Sequence, residues 1–175
     1  MRKLICPILI ILSLISCKNN DVSKFVNKRI GSKVEINVGY SLTDSLLIDS
    51  ITKNTEYLIT IPINDNACGN CSFHLLGEID EFIEDSLDSD RIKCIAYVSK
   101  GYSELRDISS GKLSNVYLID DVNNNYLNRN KLNDYTINYT TFLLDHNKKI
   151  KLVGNPIYNY NVRKLYCELI HLFVH

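Results

Sequence analysis

Apolar residues recur along this chain in two rhythms, one of two residues and one of three to four. In "GSKVEINVGY" they alternate at Val34, Ile36 and Val38, the period of a strand buried on one face, and "DSLLIDSI" offers that strand a partner. "EYLITIPI" (56–63) is denser, β-branched and aromatic, as a central strand covered on both faces requires. Pro62 falls near its end, where a missing N–H does least harm. The rhythm then lengthens. Phe73, Leu76, Ile79, Ile83 and Leu87 define a helix over about residues 69–87, its stripe widened by Leu75 and Phe82. Glu78, Glu81, Glu84, Asp85 and Asp88 occupy its other faces.

"RIKCIAYVS" (91–99) predicts a strand, "YSELRDIS" a short helix and "SNVYLID" (114–120) a further strand. The asparagine-rich "DVNNNYLNRNKLND" predicts a loop with one helical turn around Leu127. "TTFLLD" (140–145) and "KKIKLVG" (148–154) flank a hairpin turn at His146-Asn147. "NPIYN" breaks the chain, and a last helix carries Val162, Leu165, Tyr166, Leu169, Ile170 and Phe173 on one face. A strand pair, a β-α unit, a β-α-β unit, a hairpin and a closing helix make an α/β fold of three layers, α/β/α. The antiparallel hairpin makes its central sheet mixed.

The ends alter the picture. Arg2 and Lys3 precede an apolar run from Leu4 to Ile15. That run is shorter than the roughly 20 residues a bilayer crossing takes, and it suits the middle of a secretory signal. It closes in Leu14-Ile15-Ser16-Cys17, which resembles the bacterial lipobox; the resemblance implies cleavage after Ser16 and lipid on Cys17. Residues 1–16 are then a signal peptide, 17–29 a tether that is polar apart from Val22, Phe25 and Val26, and 30–175 the domain. The alternatives are an ordinary signal with an incidental cysteine, or an uncleaved anchor. The location implied is a lipid anchor in a bacterial membrane, facing the periplasm; Lys18 after Cys17 does not argue for retention in the inner membrane.

Removing 16 of 175 residues leaves 159, enough for one hydrophobic core. Losing Arg2 and Lys3 from 20 basic residues leaves 18 against 20 acidic ones. A near-neutral chain with no basic run is unsuited to nucleic acid.

Of six cysteines, Cys6 leaves with the signal and Cys17 takes the lipid, so Cys68, Cys71, Cys94 and Cys167 remain. An exported setting permits disulfides, and four cysteines allow three pairings. Four are too few for a disulfide scaffold, so the core must hold the domain. Cys94, mid-strand between Lys93 and Ile95, reads as a small buried apolar residue. Cys167 lies off the apolar stripe of the last helix, and a Cys94–Cys167 bridge stays open.

Cys68 and Cys71 stand in "ACGNCS", where the dense strand gives way to the amphipathic helix. A sulfur at that point faces free backbone N–H groups and the positive end of the helix dipole. Both favour thiolate, lowering a thiol pKa from about 8.5 towards 7. A central strand, CGNC opening a helix, a βαβ crossover, "TTFLLDHNKKIKLVG" and a terminal helix resemble the thioredoxin-like superfamily over about residues 30–175. The nearest branch is its membrane-tethered, exported thiol–disulfide oxidoreductases, which also carry an N-terminal strand pair. The resemblance implies that Cys68 attacks a substrate disulfide and Cys71 resolves the mixed disulfide. It implies that Gly69, Asn70, Tyr139 and Thr140 face the substrate, Gly69 and Asn70 setting the pair's potential. No metal or cofactor is implied, only a protein disulfide or dithiol partner and an upstream electron donor.

Three features depart from that family. Ala67 stands where it usually has an aromatic residue, and no acid is recognisable beneath the cysteines. Tyr139 stands at the position of its cis-proline. A cis bond before a non-proline residue costs about 3 kcal/mol, so the Asn138–Tyr139 bond is expected to be trans. Asp65, three residues before Cys68, would oppose a thiolate by repulsion.

Rival chemistries fit less well. Zinc would find Cys68, Cys71 and His74 but no fourth ligand. Haem attachment needs a histidine where Ser72 stands. A peroxidase of this superfamily would want Thr or Ser where Asp65 stands. A structural CxxC disulfide is the strongest rival, although so short a ring is a poor staple. Among the late tyrosines, read as core or rim, only Tyr139 draws a functional assignment, and "GNPIYN" draws none. Two readings stand: disulfide exchange with exported protein partners, and a redox-silent lipoprotein using the same fold as a binding module.

Overall fold

The computed structural model describes residues 22–37, 39–64 and 69–171. One five-stranded sheet runs in the order β3-β2-β1-β4-β5. Its parallel part is β1 (Tyr57–Ile63), β2 (Ile92–Val98) and β3 (Val116–Asp120). β4 (Phe142–Asp145) and β5 (Ile150–Val153) join antiparallel, so the sheet is mixed. The helices are α1 (residues 22–29), α2 (Leu42–Asn54), α3 (Gly69–Ser86), α4 (Tyr102–Ser109), α5 (Asn125–Arg129), α6 (Ile137–Thr140) and α7 (Tyr160–His171).

Strand alternation assigns the layers. Tyr57, Ile59, Ile61 and Ile63 of β1 share one cluster with Leu76 and Ile79 of α3, Leu105 of α4 and Tyr166 of α7. Leu58, between them, joins the opposite cluster with Phe25 of α1, Ile48 of α2 and Tyr126 of α5. Every residue of β1 is buried, which is why "YLITIPI" shows no polar alternation. Each large apolar side chain so covered favours folding by about 1.5–3 kcal/mol. Pro62 is tolerated in this central strand because β1 pairs with β4 only from Tyr57 to Thr60. The three-layer α/β/α architecture with a mixed sheet is thus as the sequence predicts, and the helix expected over 69–87 spans Gly69–Ser86.

The N-terminal strand pair is not formed. "DSLLIDSI" lies inside α2, whose start is built by Ser41: its hydroxyl accepts from the Asp44 N–H at 3.1 Å and donates to the Asp44 carboxylate at 2.8 Å. This reciprocal cap favours a helix, and Ile48 and Ile51, three residues apart, are then buried on one face. The supposed partner strand is extended, and among the described residues it makes one isolated bridge, Lys33 to Lys149, along the outer edge of β5. Val34 and Ile36 are buried as their alternation requires; Val38 lies outside the described residues. Part of the segment read from sequence as a polar tether is folded. Residues 22–29 are helical and bury Phe25, because Val22, Phe25 and Val26 have the i, i+3, i+4 spacing of a helix face.

At the other end, α7 buries Tyr166 and Ile170, but Leu165 is exposed rather than part of the apolar face, and Phe173 lies outside the described residues. The hairpin turn forms as expected, with the Lys148 N–H donating to the Asp145 carbonyl at 2.8 Å. Thr140 and Thr141 precede β4 rather than belonging to it.

Candidate active site

The parallel strands all deliver their carboxyl ends to one edge of the sheet, the usual place for a ligand crevice in such folds. β1 stops there at Ile63, and six positions later α3 begins at Gly69. Cys68, with Asp65, Asn66 and Ala67, lies outside the described residues; the sequence sets it directly before the first helical residue. Cys71 is in the first turn of α3 and is exposed. It lies between two hollows. One, of about 410 Å³, is lined by Asn70, Cys71, His74, Leu75, Glu78 and Tyr158. His74, weighed above as a zinc ligand, is exposed there and turned to Glu78, Nδ1 to Oε1 3.3 Å.

The other hollow, about 510 Å³, is a cleft with an apolar floor of Ile63, Leu75 and Ile137. Its walls are the segment Asn133–Thr136 on one side and Cys71 with Ser72 on the other, with Tyr158 and Asn64 completing it. The Ser72 hydroxyl is buried and has no hydrogen-bond partner. An unsatisfied buried polar group costs about 1–3 kcal/mol.

Tyr139 and Thr140 are not in this cleft. Tyr139 packs against the cluster on the opposite side of the sheet, beside α1, α2 and α5. Thr140 is buried, its hydroxyl donating to the Thr136 carbonyl at 3.2 Å. The reason is α6: the chain makes a helical turn here, with the N–H groups of Tyr139 and Thr140 on the Thr136 carbonyl and that of Thr141 on Ile137. No peptide bond among the described residues is cis, so Asn138–Tyr139 is trans as expected. The turn carries Thr136 and Ile137 to the cleft in place of Tyr139. Tyr135 and Tyr158, read from sequence as core or rim, line it as well. Their signal was weak, because nothing in a local pattern distinguishes a tyrosine lining a cleft from one covering a core.

Gly69 and Asn70 lie at the start of α3, with Asn70 exposed. α3 has no acid of its own in the first turn, but α4 brings one. A Cβ built on Gly69 would stand 3.0 Å from Glu104 Oε1, so glycine lets this carboxylate sit against the leading turn. Glu104 had no signal in the sequence, being 35 residues from Gly69 and brought there only by the crossover. The remaining cysteines are clear of this region. Cys94 is fully buried on β2, and desolvation pushes its thiol far above the usual range. Cys167 is half-buried, its sulfur 4.0 Å from the Ser86 carbonyl, and both are free, so no bridge joins them.

A thioredoxin-like fold is what this arrangement defines. A thioredoxin-like protein from Bacteroides caccae superimposes on 91% of the chain with a TM-score of 0.51 and 15% identity. The C-terminal domain of an uncharacterized protein from Bacteroides fragilis matches 79% of the chain, and 96% of its own length, with a TM-score of 0.50 and 18% identity. The chain spans about 55% of the length of the B. caccae protein. No family model matches the sequence, and no curated protein matches it.

Proposed function

We propose that the protein is a lipid-anchored thiol–disulfide oxidoreductase, held to a bacterial membrane through Cys17 and facing the periplasm. The observation that carries this reading is CGNC at the leading turn of α3, with Cys71 exposed at the mouth of a cleft of substrate size. The fold supports it by bringing that turn to the carboxyl ends of the parallel strands. In the step proposed, the Cys68 thiolate attacks one sulfur of a substrate disulfide, and the other substrate sulfur leaves as a thiolate. The Cys71 thiol then loses its proton to solvent and attacks the Cys68 sulfur. This forms the Cys68–Cys71 disulfide and releases the substrate as a dithiol. Two electrons pass to the substrate, and an upstream dithiol donor must restore the pair.

A second reading, a redox-silent binding module, draws on one feature. The family's cis-proline loop is replaced by α6, where the N–H groups of Tyr139, Thr140 and the following Thr141 are occupied within the turn. The two readings part on turnover. With a dithiol donor present, the wild-type protein is expected to reduce a fluorogenic peptide disulfide catalytically, and Cys68→Ser to abolish this. Equal rates for wild type and Cys68→Ser would leave the binding module.

A further inference from the structure

Tyr135 lines a second hollow besides the cleft, so the two adjoin across one side chain. This neighbour, about 700 Å³, is walled by Lys24, Lys28, Arg29 and Lys131, with Phe25, Ser32 and Tyr135 and, among the described residues, no acid. In a chain of net charge near zero, four cations surround one hollow: α1 supplies three of them, and Lys131, distant in sequence, the fourth. No ion pair seen among the described residues involves any of the four. Arg29 is held in place instead by the carbonyls of Asn130 and Lys131, at 2.8 and 3.1 Å, with its guanidinium 5.2 Å from the Phe25 ring centre. Tyr135 stacks on the same ring at 3.9 Å, so the boundary between the hollows is braced. Among the described residues, the single charge lining the cleft itself is Asp134.

We propose, resting on the exchange reading above, that the substrate is a protein segment with acidic residues on one flank of its cysteine, received by this basic hollow. Side chains must do the selecting, because α6 leaves no free backbone amide at Tyr139, Thr140 or Thr141 to pair with an extended peptide. The order along the segment follows from charge. The segment's cysteine meets the CGNC turn beside Cys71, with apolar neighbours on Ile63, Leu75 and Ile137, Asp134 repels acid immediately beside it, and the acidic stretch begins beyond Tyr135.

The test uses the full-length chain and three disulfide peptides that differ only in one flank: three glutamates, three glutamines or three lysines. At low ionic strength the wild type is expected to favour glutamate over lysine by about tenfold in kcat/KM, a preference that added salt weakens. Lys24→Glu combined with Lys28→Glu, both exposed on α1, should erase the preference while leaving the glutamine peptide and thermal unfolding unchanged. Equal rates for the three peptides, or a preference that survives the charge reversal, overturn the proposal. So does a double variant that keeps the preference but no longer binds phosphatidylglycerol vesicles, which would make the hollow a membrane face. A protein inactive on all three peptides fails earlier, at exchange itself, and takes this proposal with it.

Discussion

Glu104 and Gly69 state the electrostatic problem at the candidate site most compactly. Backbone N–H groups at the start of α3 favour a thiolate on the preceding residue, while a carboxylate against that same turn opposes it. Glu104→Gln is therefore expected to make the Cys68 thiol more acidic, and the pH profile of its alkylation should move to lower pH. A profile that does not move would mean that the carboxylate is too well solvated to be felt. This contest is hidden in the sequence, where Asp65 is the nearest acid to Cys68 and Glu104 belongs to another element. Cys94 is the opposite case. Its place mid-strand among apolar residues already reads as a buried thiol, and its pKa is raised by burial first and by the charge of Asp80 second.

Among the elements, those with a strong single period are legible and those defined by partners are not. α3, β1 and β2 have dense apolar patterns that allow one arrangement each. α2 misleads because "DSLLIDSI" holds apolar residues at strand and helix spacings alike, and the Ser41 cap decides between them. α6 is four residues long and is fixed by what packs around it, which is why Tyr139 could be aligned with a proline yet face away from the cleft. The extended segment before α2 is fastened by Tyr97 of β2, whose hydroxyl donates to the Ile36 carbonyl at 2.8 Å. Tyr97 also stacks on Tyr126 at 4.3 Å, and Tyr126 hydrogen-bonds Thr60 at 2.8 Å. Tyr97→Phe keeps the stack and orphans that carbonyl, so chemical denaturation should show a loss of about 1–2 kcal/mol. Asp121, after β3, receives the N–H groups of Asn125 and Tyr126 at 2.6 and 3.1 Å. Burial nonetheless raises its carboxyl above the ordinary 3.8, the two hydrogen bonds opposing that rise. The folded chain then holds this proton more tightly than the unfolded one. The group favours folding as pH falls through the window just above 3.8, and that contribution is lost as pH rises through it. Asp121→Asn should flatten that part of the stability–pH curve, and an unchanged slope would remove Asp121 as its source.

At the scale of the whole molecule, the layering follows from β-α alternation, but the functional surface comes from what the layers bring together. The CGNC turn, the loop before α6, the β5–α7 connection and α1 are far apart in sequence, and they meet around Cys71, Tyr135 and Tyr158. That convergence explains why the cysteines could be picked out by eye while the cleft walls and the basic hollow could not. It also explains why residues 22–29 matter: taken alone they read as a polar tether, but folded they supply Phe25 to the core and three cations to a hollow beside the cleft. The central claim is exchange of disulfides through Cys68, and its most direct measurement is a trap in living cells. Cys71→Ser should accumulate mixed disulfides with exported proteins, resolved by non-reducing electrophoresis and collapsed by reductant. If Cys71→Ser captures nothing beyond the Cys68→Ser, Cys71→Ser double variant, Cys68 is not a working nucleophile and the account is contradicted.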